Sequence, residues 1–599
     1  MEISQFTANL LVSSDHQASQ LLQILGKIQQ QYTFIPQQAI KQLSESLLLT
    51  EANILAVISF YSFLHCKPPT VFDLRVSNNI TDQMRGSIEL TKILCDKLRV
   101  QLKKPRTDRR VTVNTTSCIG MSDQGPALLV NGQPIVALDR NRISSICQLI
   151  ESNTPIKQWP TEFFRIKNNI QRADILLTDR FKNGSAVQLL LEQGSQKLLR
   201  QIELSNLRGR GGAGFNTGLK WRMCQQSIAE KRYVVCNADE GEPGTFKDRV
   251  LLTTQADKLI EGMTLCAGVI STNIEQQTKG IIYLRGEYRY LHASLEQVLQ
   301  NRRDVGLLGK NILGKKGFDF DIDIHLGAGA YICGEESALI ESLEGKRGIP
   351  RNRPPFPVTQ GYKNQPTVVN NVETFINTTL IAIHGADWYK AIGTEQSTGS
   401  KLLSISGDCL TPGIYEYPFG TSIKQILSDC GASNTQAVQV SGPSGFTVSK
   451  KDFDRCISFE DIPSGGSIMI FNQQRELLDI VKNFIDFFVD ESCGFCTPCR
   501  VGSPLLKQLI GKVHKGLASN YDLVDIKKIC LSMSQTSQCG LGKSVPNCIT
   551  GTLEYFPQIY QRRLKSKDNE PVFELDTELQ QAHQLIERKD SKLTTDFQS

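Results

Sequence analysis

The chain has 599 residues, of which 40% are hydrophobic and 21% are charged, and its formal net charge is +6. This length predicts several domains, and the composition is typical of a soluble globular protein with buried cores. The densest basic run, residues 97–110, contains no aromatic residue. We therefore expect a solvated surface there and no binding to nucleic acid.

The N-terminus lacks the basic start and apolar core of a secretory signal. The longest apolar stretch, NILAVISFYSFLHC (53–66), is shorter than the about 20 residues needed to span a bilayer. We expect a cytoplasmic protein with no membrane association. In that compartment the 17 cysteines are expected to be metal ligands or buried thiols rather than disulfides.

Apolar spacing and turn residues divide the chain into seven segments. In chain order, these are a helical part (1–70), mixed strands and helices (71–152), a connector (153–195), a glycine-rich part (196–400), short strands around one helix (401–475), a helical part with clustered cysteines (476–565) and a charged tail (566–599). In the glycine-rich part, the predicted strands RYVVCNA, GIIYLRG and FDIDIHLGAG alternate with helices, which indicates an α/β layer structure.

Three cysteines with two-residue gaps, Cys493, Cys496 and Cys499, lie in the stretch ESCGFCTPCR. Such a run lets three thiolates converge on one corner of a compact cluster, and bacterial ferredoxins bind 4Fe–4S clusters in this way. A fourth ligand is available at Cys539 in TSQCGLGKS. Structural zinc usually takes two separated pairs, so we favour a 4Fe–4S cluster over zinc and over unligated thiols.

The stretch RGRGGAGFNTGLKW (208–221) contains a G-x-G-x-x-G match. A Rossmann fingerprint follows a strand directly, whereas the preceding QKLLRQIELSNL reads as a helix, so the match alone is weak. Glycines still let a phosphate or a flat ring approach backbone N–H groups. Lys220 can offset phosphate charge and Phe215 can stack on an aromatic ring; the alternative is a flexible loop.

Two further stretches carry acidic groups next to glycines. In NADEGEPGTFKDR, Asp239, Glu240 and Glu242 follow an apolar strand, and a carboxylate near an adenosine ribose would favour NAD over NADP. In GAGAYICGEE, Glu335 and Glu336 begin a helix, where acidic residues are also ordinary dipole partners. The alternative for the first stretch is an acidic surface turn.

Together, RGRGGAGF, NADEGEPGTFKDR, GAGAYICGEE, NNVET and ESCGFCTPCR are highly specific. Over residues 196–560 the chain resembles the flavin- and NADH-binding subunit of respiratory complex I. The resemblance implies an α/β multidomain protein with a Rossmann-like FMN domain, a ubiquitin-like β-grasp domain and a C-terminal helical bundle carrying a 4Fe–4S cluster. It also implies hydride exchange between NAD(H) and FMN, followed by transfer of single electrons.

Site residues follow from the same resemblance by matching motif. The implied FMN contacts are Gly209, Gly211, Lys220, Asn237, Asp239, Glu240, Asn370, Asn371 and Thr374. The implied NAD contacts are Gly212, Phe215, Glu242, Glu335, Glu336, Arg353 and Phe356, and Tyr331 and Gly334 join the cofactor-binding set. Glu240 and Glu335 are the implied catalytic residues, and Cys493, Cys496, Cys499 and Cys539 are the implied cluster ligands.

Residues 1–150 resemble the thioredoxin-like complex I subunit that binds a 2Fe–2S cluster through C-x4-C and C-x3-C. The corresponding positions are Ser77, Asp82, Cys118 and Ser122, so three of the four thiolates are missing. We expect a thioredoxin-like domain without a 2Fe–2S cluster, which serves as a docking surface.

This fusion resembles the diaphorase large subunit of cytosolic NAD-reducing nickel–iron hydrogenases. That family implies a small ferredoxin-like diaphorase subunit and the small and large nickel–iron hydrogenase subunits as partners. The alternatives are the NADH module of an NAD-dependent formate dehydrogenase or a complex I variant, and a non-catalytic scaffold or redox sensor that binds nucleotide. The lost cysteines favour the hydrogenase family, and the retained flavin and cluster motifs argue against a scaffold.

Overall fold

The computed structural model describes residues 2–271 and 277–565. The predicted tail (566–599) lies outside these residues. Within them, no single helix is long and apolar enough to cross a membrane, although the bent pair Gln37–Leu47 and Glu51–Phe60 passes the test of length and composition.

The described residues form three sheets surrounded by helices. The strands are β1 (Phe72–Ser77), β2 (Val111–Thr116), β3 (Leu128–Val130), β4 (Gln133–Ile135), β5 (Ile170–Arg172), β6 (Lys231–Ala238), β7 (Gln277–Leu284), β8 (Ile322–Leu326), β9 (Thr367–Asn371), β10 (Ser400–Gly407), β11 (Gly413–Pro418), β12 (Thr435–Val440), β13 (Phe446–Ser449) and β14 (Ser467–Asn472).

The α-helices fall into three groups along the chain. Before β5 they are Ile3–Ser13, Leu21–Tyr32, Gln37–Leu47, Glu51–Phe60, Ile80–Met84, Ser87–Leu98 and Arg140–Glu151. Between β5 and β10 they are Ile175–Thr178, Ser185–Gln193, Ser195–Leu204, Thr217–Gln226, Lys247–Thr254, Ala256–Ile270, His292–Asp304, Glu336–Leu343, Pro357–Gln360, Val372–His384 and Ala386–Lys390. Beyond β10 they are Ile423–Asp429, Leu477–Glu491, Thr497–His514, Asn520–Thr536, Gly540–Ser544, Asn547–Tyr555 and Gln558–Gln561.

The N-terminal part combines seven helices with a four-stranded sheet of order β2-β1-β3-β4. Strand β1 pairs parallel to β2 and antiparallel to β3. Alternation in β1 sends Phe72, Leu74 and Val76 into a core that also buries Leu94 and Ile146. This part of the chain therefore contains both helices and strands.

The central sheet is parallel throughout, with the order β8-β7-β6-β9. Its strands are buried on both faces, as the uninterrupted apolar runs in β6 and β7 require. Successive strands β6, β7 and β8 run outward to one side, while β9 returns to the other side of β6. The predicted α/β layer of residues 196–400 is confirmed.

The third sheet has the order β13-β12-β14-β10-β11-β5. Strands β10 and β11 form an antiparallel hairpin, and β14 lies parallel to β10. One helix, Ile423–Asp429, packs its apolar residues into the core of this sheet. Strand β5 comes from the predicted connector and pairs with β11 at the edge of the sheet.

The C-terminal helices bury Leu478, Phe484, Leu506 and Ile549 in one continuous core. That core also includes Leu25 and other residues of the first four helices, together with residues on one face of the central sheet. The two ends of the chain are therefore packed against the same sheet, which brings the cysteine-bearing helices next to its carboxyl edge.

Candidate functional site

The central sheet has a point where its strand order reverses, between β6 and β9. In parallel sheets, ligands bind outside the carboxyl ends of the strands at such a point. Here the chain places Asn237 at the end of β6 and Asn370 and Asn371 at the end of β9. The sheet thus brings the NADEGE and NNVET motifs to one edge.

The glycine-rich loop lies against this edge. Its ends meet through a hydrogen bond from the Gly209 N–H to the Phe215 carbonyl (2.9 Å). Gly212 and Gly214 have φ values of +119° and +64°, which side chains rarely allow. A Cβ atom on Gly211 would lie 3.3 Å from the Asn371 Cβ, so the loop backbone passes directly over the end of β9.

Residues of the next helix and of β9 fix that approach. The Asn216 side chain accepts a hydrogen bond from the Leu219 N–H (2.8 Å) and so caps helix Thr217–Gln226. From that helix, Trp221 Nε1 donates to Asn370 Oδ1 of β9 (3.0 Å). The Arg210 N–H of the glycine-rich loop donates to Thr374 Oγ1 (2.9 Å) in helix Val372–His384, which follows β9. These bonds hold the loop and β9 in one fixed geometry.

Asn237 and Asp239 lead from β6 into the loop of residues 239–242, which we call the acidic loop. Asn237 Nδ2 donates to the Gly334 carbonyl (2.8 Å), and Asn237 Oδ1 accepts from the Asp239 N–H (3.1 Å). The Asp239 Oδ2 atom is buried and has no hydrogen-bond partner among the described residues. Burial raises the pKa of Asp239 to about 8, so this carboxyl is suited to a ligand that supplies a donor.

Both carboxylate oxygens of Glu240 bond the start of helix Lys247–Thr254. Oε1 accepts from the Asp248 N–H (2.7 Å), and Oε2 accepts from the Arg249 N–H (3.2 Å) and the Tyr288 hydroxyl (2.8 Å). Burial raises the pKa of Glu240 to about 7, against the lowering effect of these bonds. Glu240 therefore anchors the acidic loop to a helix N-terminus.

Glu242 connects the acidic loop to two other parts of the chain. Its Oε1 accepts from the Ser444 N–H (2.9 Å), and its Oε2 accepts from the Tyr331 hydroxyl. Burial raises the pKa of Glu242 to about 7. Glu240 and Glu242 thus bond different parts of the chain, whereas Asp239 Oδ2 has no hydrogen-bond partner among the described residues.

Glu335 and Glu336 stand at the start of helix Glu336–Leu343. Glu335 is its cap and accepts from the N–H groups of Ser337 (3.0 Å) and Ala338 (2.9 Å). Glu336 forms ion pairs with Lys220 Nζ (3.0 Å) and with Arg353 Nη1 (3.2 Å). Lys220 also donates to the Val369 carbonyl (3.0 Å), so it bridges the glycine-rich loop's helix and β9.

Two aromatic rings stand at the mouth of this region. Phe215 and Phe356 are each 47% exposed, although large apolar side chains are normally buried. The Lys220 ammonium lies 5.9 Å from the Phe215 ring centroid. Exposed rings beside a glycine-rich loop are available to stack on a flat ligand.

These features fit a flavin mononucleotide and a nicotinamide nucleotide. The glycine-rich loop presents backbone without side chains at Gly209, Gly211 and Gly212, the buried Asp239 oxygen lacks a donor, and two rings are free to stack. The end of β6, the end of β9 and the start of helix Glu336–Leu343 lie together at this edge, and each carries site residues that the sequence motifs implied. Among the acidic site residues, Glu240 and Glu335 are the two whose carboxylates already accept hydrogen bonds from N–H groups at helix N-termini.

The four cysteines converge at the ends of C-terminal helices. Cys496 precedes helix Thr497–His514 and Cys539 precedes Gly540–Ser544. Their thiols are close enough to influence one another: burial and the charges of Cys493 and Cys499 raise the pKa of Cys539 to about 11. Among the described residues no three ligands surround a single metal ion, whereas the thiolates of a 4Fe–4S cluster bind four separate irons.

Hydrogen bonds connect both cysteine segments to the nucleotide region. Glu491, two residues before Cys493, accepts from the Tyr331 N–H (3.0 Å), and the Tyr331 and Phe487 rings meet edge-to-face with centroids 5.0 Å apart. Gln538, next to Cys539, donates to the Pro350 carbonyl (2.9 Å). Tyr331 therefore contacts the cysteine segment through its backbone and Glu242 through its hydroxyl.

A cavity of about 460 Å³ lies beside Tyr331, toward the N-terminal domain. It is lined by residues from all three regions, among them Asp239, Arg285, Tyr331, Glu491, Cys493 and Ser117. At this cavity the thioredoxin-like part of the chain also contacts the cysteine segment directly, because Ser117 Oγ donates to Glu491 Oε1 (3.0 Å).

The positions of the missing 2Fe–2S ligands are buried and bonded internally. Asn79 Nδ2 donates to Asp82 Oδ2 (2.7 Å) and to Ser77 Oγ (3.2 Å), and Cys118 Sγ lies 3.5 Å from Ser122 Oγ. Burial raises the pKa of Asp82 to about 7. Asp82 Oδ1 is nevertheless buried without a hydrogen-bond partner among the described residues, so the polar side chains at these positions satisfy one another only in part.

Sequence reasoning missed several charged residues that organise the site. Lys247 Nζ bonds the buried carboxylates of Asp248 (2.6 Å) and Glu373 (3.1 Å) and the half-buried Asn371 Oδ1 (3.1 Å). Arg285 lies just after β7 and donates to the Glu240 carbonyl. The KDR sequence at the end of the NADEGEPGTFKDR motif was the available signal for Lys247, whereas no motif marks Arg285.

A nucleotide site at the edge of a parallel sheet, joined through Tyr331 to a four-thiol segment, defines an oxidoreductase subunit with a flavin and an iron–sulfur centre. Family comparisons agree: residues 202–379 match the Nuo51 FMN-binding domain, residues 7–151 the thioredoxin-like 2Fe–2S ferredoxin, and residues 479–563 the iron–sulfur binding region of NADH-ubiquinone oxidoreductase F. The predicted FMN-binding and 4Fe–4S regions are confirmed at this level.

Individual relatives narrow the class. The NAD-reducing hydrogenase HoxS subunit alpha of Cupriavidus necator is 42% identical over 94% of this chain and 95% of its own. The NADP-reducing hydrogenase subunit HndC of Solidesulfovibrio fructosivorans is 41% identical over 61% of this chain and 76% of its own. The crystal structure of an air-oxidized NAD+-reducing NiFe hydrogenase superposes with a TM-score of 0.87 at 40% identity, over 94% of this chain and 97% of that chain.

The chain belongs to the family of the NAD-reducing hydrogenase HoxS subunit alpha. The resemblance inferred from the sequence motifs is thereby confirmed, and so is the assignment to NAD-linked oxidoreductase subunits that carry FMN-binding and iron–sulfur domains.

Proposed function

We propose that this chain is the diaphorase subunit of an NAD-reducing hydrogenase. It exchanges a hydride between NAD(H) and FMN and passes single electrons through a 4Fe–4S cluster to and from partner subunits. The observation that carries the proposal is Tyr331, whose hydroxyl bonds Glu242 of the acidic loop and whose N–H bonds Glu491 beside Cys493. One residue thus joins the nucleotide region to the cluster segment.

FMN, when bound, accepts two electrons as a hydride and releases them one at a time, which matches an iron–sulfur cluster to a nicotinamide. The chain's residues orient and enclose these groups. Gly209, Gly211 and Gly212 offer unobstructed backbone, Asp239 offers a free buried acceptor, and Asn371 stands at the end of β9. Lys220 supplies positive charge for a phosphate next to the glycine-rich loop.

Residues at the mouth recognise the dinucleotide in this proposal. Phe215 and Phe356 stack on flat rings, and Arg353 with Glu336 borders the adenosine end. Glu242 disfavours a 2′-phosphate because like charges repel, so NAD is preferred over NADP. Glu240 and Glu335 act from helix N-termini, where each positions the loop that carries it.

The finer description of the domains is part of the same proposal. The order β8-β7-β6-β9 supports a Rossmann-like FMN domain, and the order β13-β12-β14-β10-β11 with one packed helix supports a ubiquitin-like β-grasp domain. We infer domain boundaries at about residues 70, 152, 195, 400, 475 and 565 from the segments of the sequence. Cys493, Cys496, Cys499 and Cys539 bind the cluster.

The N-terminal domain carries no 2Fe–2S cluster in this proposal. Asp82 and Ser77 share hydrogen bonds with Asn79, and only Cys118 offers a thiol among the four positions. Partners are a ferredoxin-like diaphorase subunit and the two nickel–iron hydrogenase subunits, and the complex is cytoplasmic. The support for these partners is the 95% coverage of the Cupriavidus subunit, which is one subunit of a larger enzyme by its name.

Metal and flavin analysis of the purified complex tests the proposal. This chain should contain one FMN, about four irons with acid-labile sulfide, and no zinc. About six irons would show that the N-terminal domain retains a 2Fe–2S cluster. The complex should contain nickel and reduce NAD+ with hydrogen; a formate dehydrogenase partner, with molybdenum or tungsten in place of nickel, would contradict the hydrogenase assignment.

A further inference from the structure

The loop Cys118–Asp123 of the N-terminal domain lies against the start of helix Lys247–Thr254. Asp123 pairs with the Arg249 guanidinium through both oxygens, at 3.1 Å for Oδ1 to Nη1 and 3.0 Å for Oδ2 to Nη2. The same guanidinium donates to the Gly120 carbonyl (2.9 Å). Both side chains of the pair are almost fully buried, with exposures of 1% for Arg249 and 0% for Asp123.

Arg249 connects this loop directly to the acidic loop of the flavin region. Its backbone N–H donates to Glu240 Oε2 (3.2 Å), next to the bond from Asp248 to Glu240 Oε1 (2.7 Å). The residue that pairs with Asp123 is therefore also one that holds the Glu240 carboxylate. The guanidinium pair with Asp123 and the backbone bond to Glu240 thus belong to one residue at the first turn of the helix.

Two further residues, Arg285 and Tyr288, also contact both the loop Cys118–Asp123 and Glu240. Arg285 donates to the Cys118 carbonyl (2.9 Å) and to the Glu240 carbonyl. The Tyr288 hydroxyl donates to Glu240 Oε2 (2.8 Å), and a Cβ on Gly120 would lie 2.1 Å from that hydroxyl oxygen. Because Gly120 has φ +74° and no side chain, its backbone packs directly against the Tyr288 ring.

We infer that Asp123 is a positioning residue for the flavin site: through Arg249 it fixes Glu240 and hence the loop of residues 239–242. A buried guanidinium needs a partner of opposite charge, and Asp123 is the carboxylate paired with this one among the described residues. The loop Cys118–Asp123, which contains two of the four positions that correspond to 2Fe–2S ligands, thus supports the acidic loop. This inference rests on the proposed function, because that function assigns the 239–242 loop to the flavin.

The test compares Asp123→Asn with the unmodified protein in the complete complex. The substitution keeps the size of the side chain and one acceptor but removes the charge opposite Arg249. FMN should dissociate about tenfold more readily, because a buried pair that loses one partner becomes unfavourable and its neighbours shift. The flavin potential should move to more positive values, since the unpaired Arg249 charge favours the reduced, more anionic flavin.

A second measurement needs no flavin. Backbone amide exchange at Asp248 and Arg249, whose N–H groups bond Glu240, should accelerate in flavin-free Asp123→Asn. Tyr288→Phe, which leaves the ion pair intact and removes only the hydroxyl bond to Glu240, should give the same changes to a smaller extent. Asp108→Asn, in an exposed ion pair of the same domain, is the matched control and should change neither quantity.

The two substitutions together decide between positioning and general destabilisation. If Asp123→Asn also loses its cluster iron, it has unfolded more widely, and the milder Asp123→Glu, which keeps the charge but displaces it by one methylene, then decides through the same exchange measurement. Unaltered flavin affinity and unaltered exchange at Asp248 and Arg249 in a folded variant would overturn the inference. Failure of the unmodified complex to bind FMN would instead refute the proposed function, and the exchange experiment would still test the coupling of Asp123 to Glu240.

Discussion

At the scale of single residues, the three carboxyl groups of the acidic loop show how burial changes their chemistry. Burial is the main cause that raises the pKa of Asp239 to about 8, and those of Glu240 and Glu242 to about 7. Three adjacent charges would repel one another on the surface. In the fold, Glu240 and Glu242 bond different partners, and the raised pKa values of all three carboxyl groups favour protonation near neutral pH, which reduces the repulsion.

Asp239→Asn should flatten the pH dependence of stability in flavin-free protein. The pKa of Asp239 is raised in the fold, so the folded state holds a proton that the unfolded state has released. Its contribution is complete below about pH 4 and is lost as the pH rises toward about 8, by at most about 1.4 kcal/mol per pH unit. We expect the melting temperature of the unmodified protein to fall more between pH 6 and pH 8 than that of the variant. Equal falls in both proteins would show that Asp239 titrates normally; Glu89→Gln, on an exposed helix, serves as the control.

Glu242→Gln should weaken the preference for NADH over NADPH. Glutamine keeps a side chain that can bond Ser444 and Tyr331, but it removes the negative charge that opposes a 2′-phosphate. We expect the ratio of kcat/KM for NADPH to that for NADH to rise about tenfold. Steady-state rates with an artificial acceptor measure this ratio. An unmodified protein that uses both dinucleotides equally would contradict the role given to Glu242.

At the scale of secondary-structure elements, one buried charge network joins helix Val372–His384 to β10. Lys401 Nζ bonds Glu373 Oε2, and the Leu402 N–H donates to Glu373 Oε1 (3.0 Å). Burial lowers the pKa of Lys401 to about 8, while the positive charges of Lys401 and Lys247 lower that of Glu373. The network therefore connects the edge of the central sheet to the third sheet.

Lys401→Met should destabilise the protein by about 3 kcal/mol, because it leaves Glu373 buried with one cationic partner fewer. Chemical denaturation of flavin-free protein measures this loss. Lys424→Met removes a lysine from an exposed ion pair and should cost less than about 1 kcal/mol. Equal stabilities of the two variants would mean that the Lys401 pair contributes nothing to the join between the sheets.

Most elements were predictable because their apolar residues repeat with a clear period. The runs RYVVCNA and GIIYLRG predicted β6 and β7, and QKLLRQIELSNL (196–207) predicted the helix before the glycine-rich loop, which the structure places at Ser195–Leu204. Strand β5 was missed because its three residues are all exposed and carry no pattern of their own. Its pairing depends on the edge that β11 offers, which no local signal records.

For the site, the motifs predicted the residues that come together at the ends of β6 and β9. They did not predict which partners would engage each carboxylate. Glu240 bonds a helix that begins seven residues later, and Asp123 lies more than a hundred residues before Arg249. Contacts over such separations are set by the packing of domains, so a single sequence without pairing information does not specify them.

At the scale of the whole molecule, the fold places the cluster segment at one side of the flavin region and the N-terminal domain at another. Tyr331 and Gln538 connect the cluster segment to the flavin region, and Arg249 and Arg285 connect the N-terminal domain to the flavin region. The cavity of about 460 Å³ lies between the two sets of contacts. In the proposed function, electrons leave through the cysteine segment, while the N-terminal domain holds the acidic loop in place.

This arrangement predicts that the cluster can be removed without loss of hydride transfer. Cys496 lies before helix Thr497–His514, and the hydrogen bonds that link the cluster segment to the sheet come from Glu491 and Gln538 instead. Cys496→Ala should therefore lose cluster iron while the flavin pocket stays intact. In anaerobic stopped-flow experiments, NADH should still bleach the bound FMN at a rate similar to that of the unmodified protein.

Hydrogen-linked reduction of NAD+ in the assembled complex should collapse in the same variant, because electrons then have no acceptor within reach of the flavin. Lys220→Ala should give the reverse result, with flavin lost and the cluster signal kept, since Lys220 bonds Glu336 and β9 and contacts no cysteine segment. Cys66→Ala, at an exposed cysteine of the N-terminal part, is the control and should retain both activities. Full hydrogen-linked activity in a Cys496→Ala complex whose cluster is demonstrably absent would place the cluster outside the electron path, and the serial order from nicotinamide to flavin to cluster would be wrong.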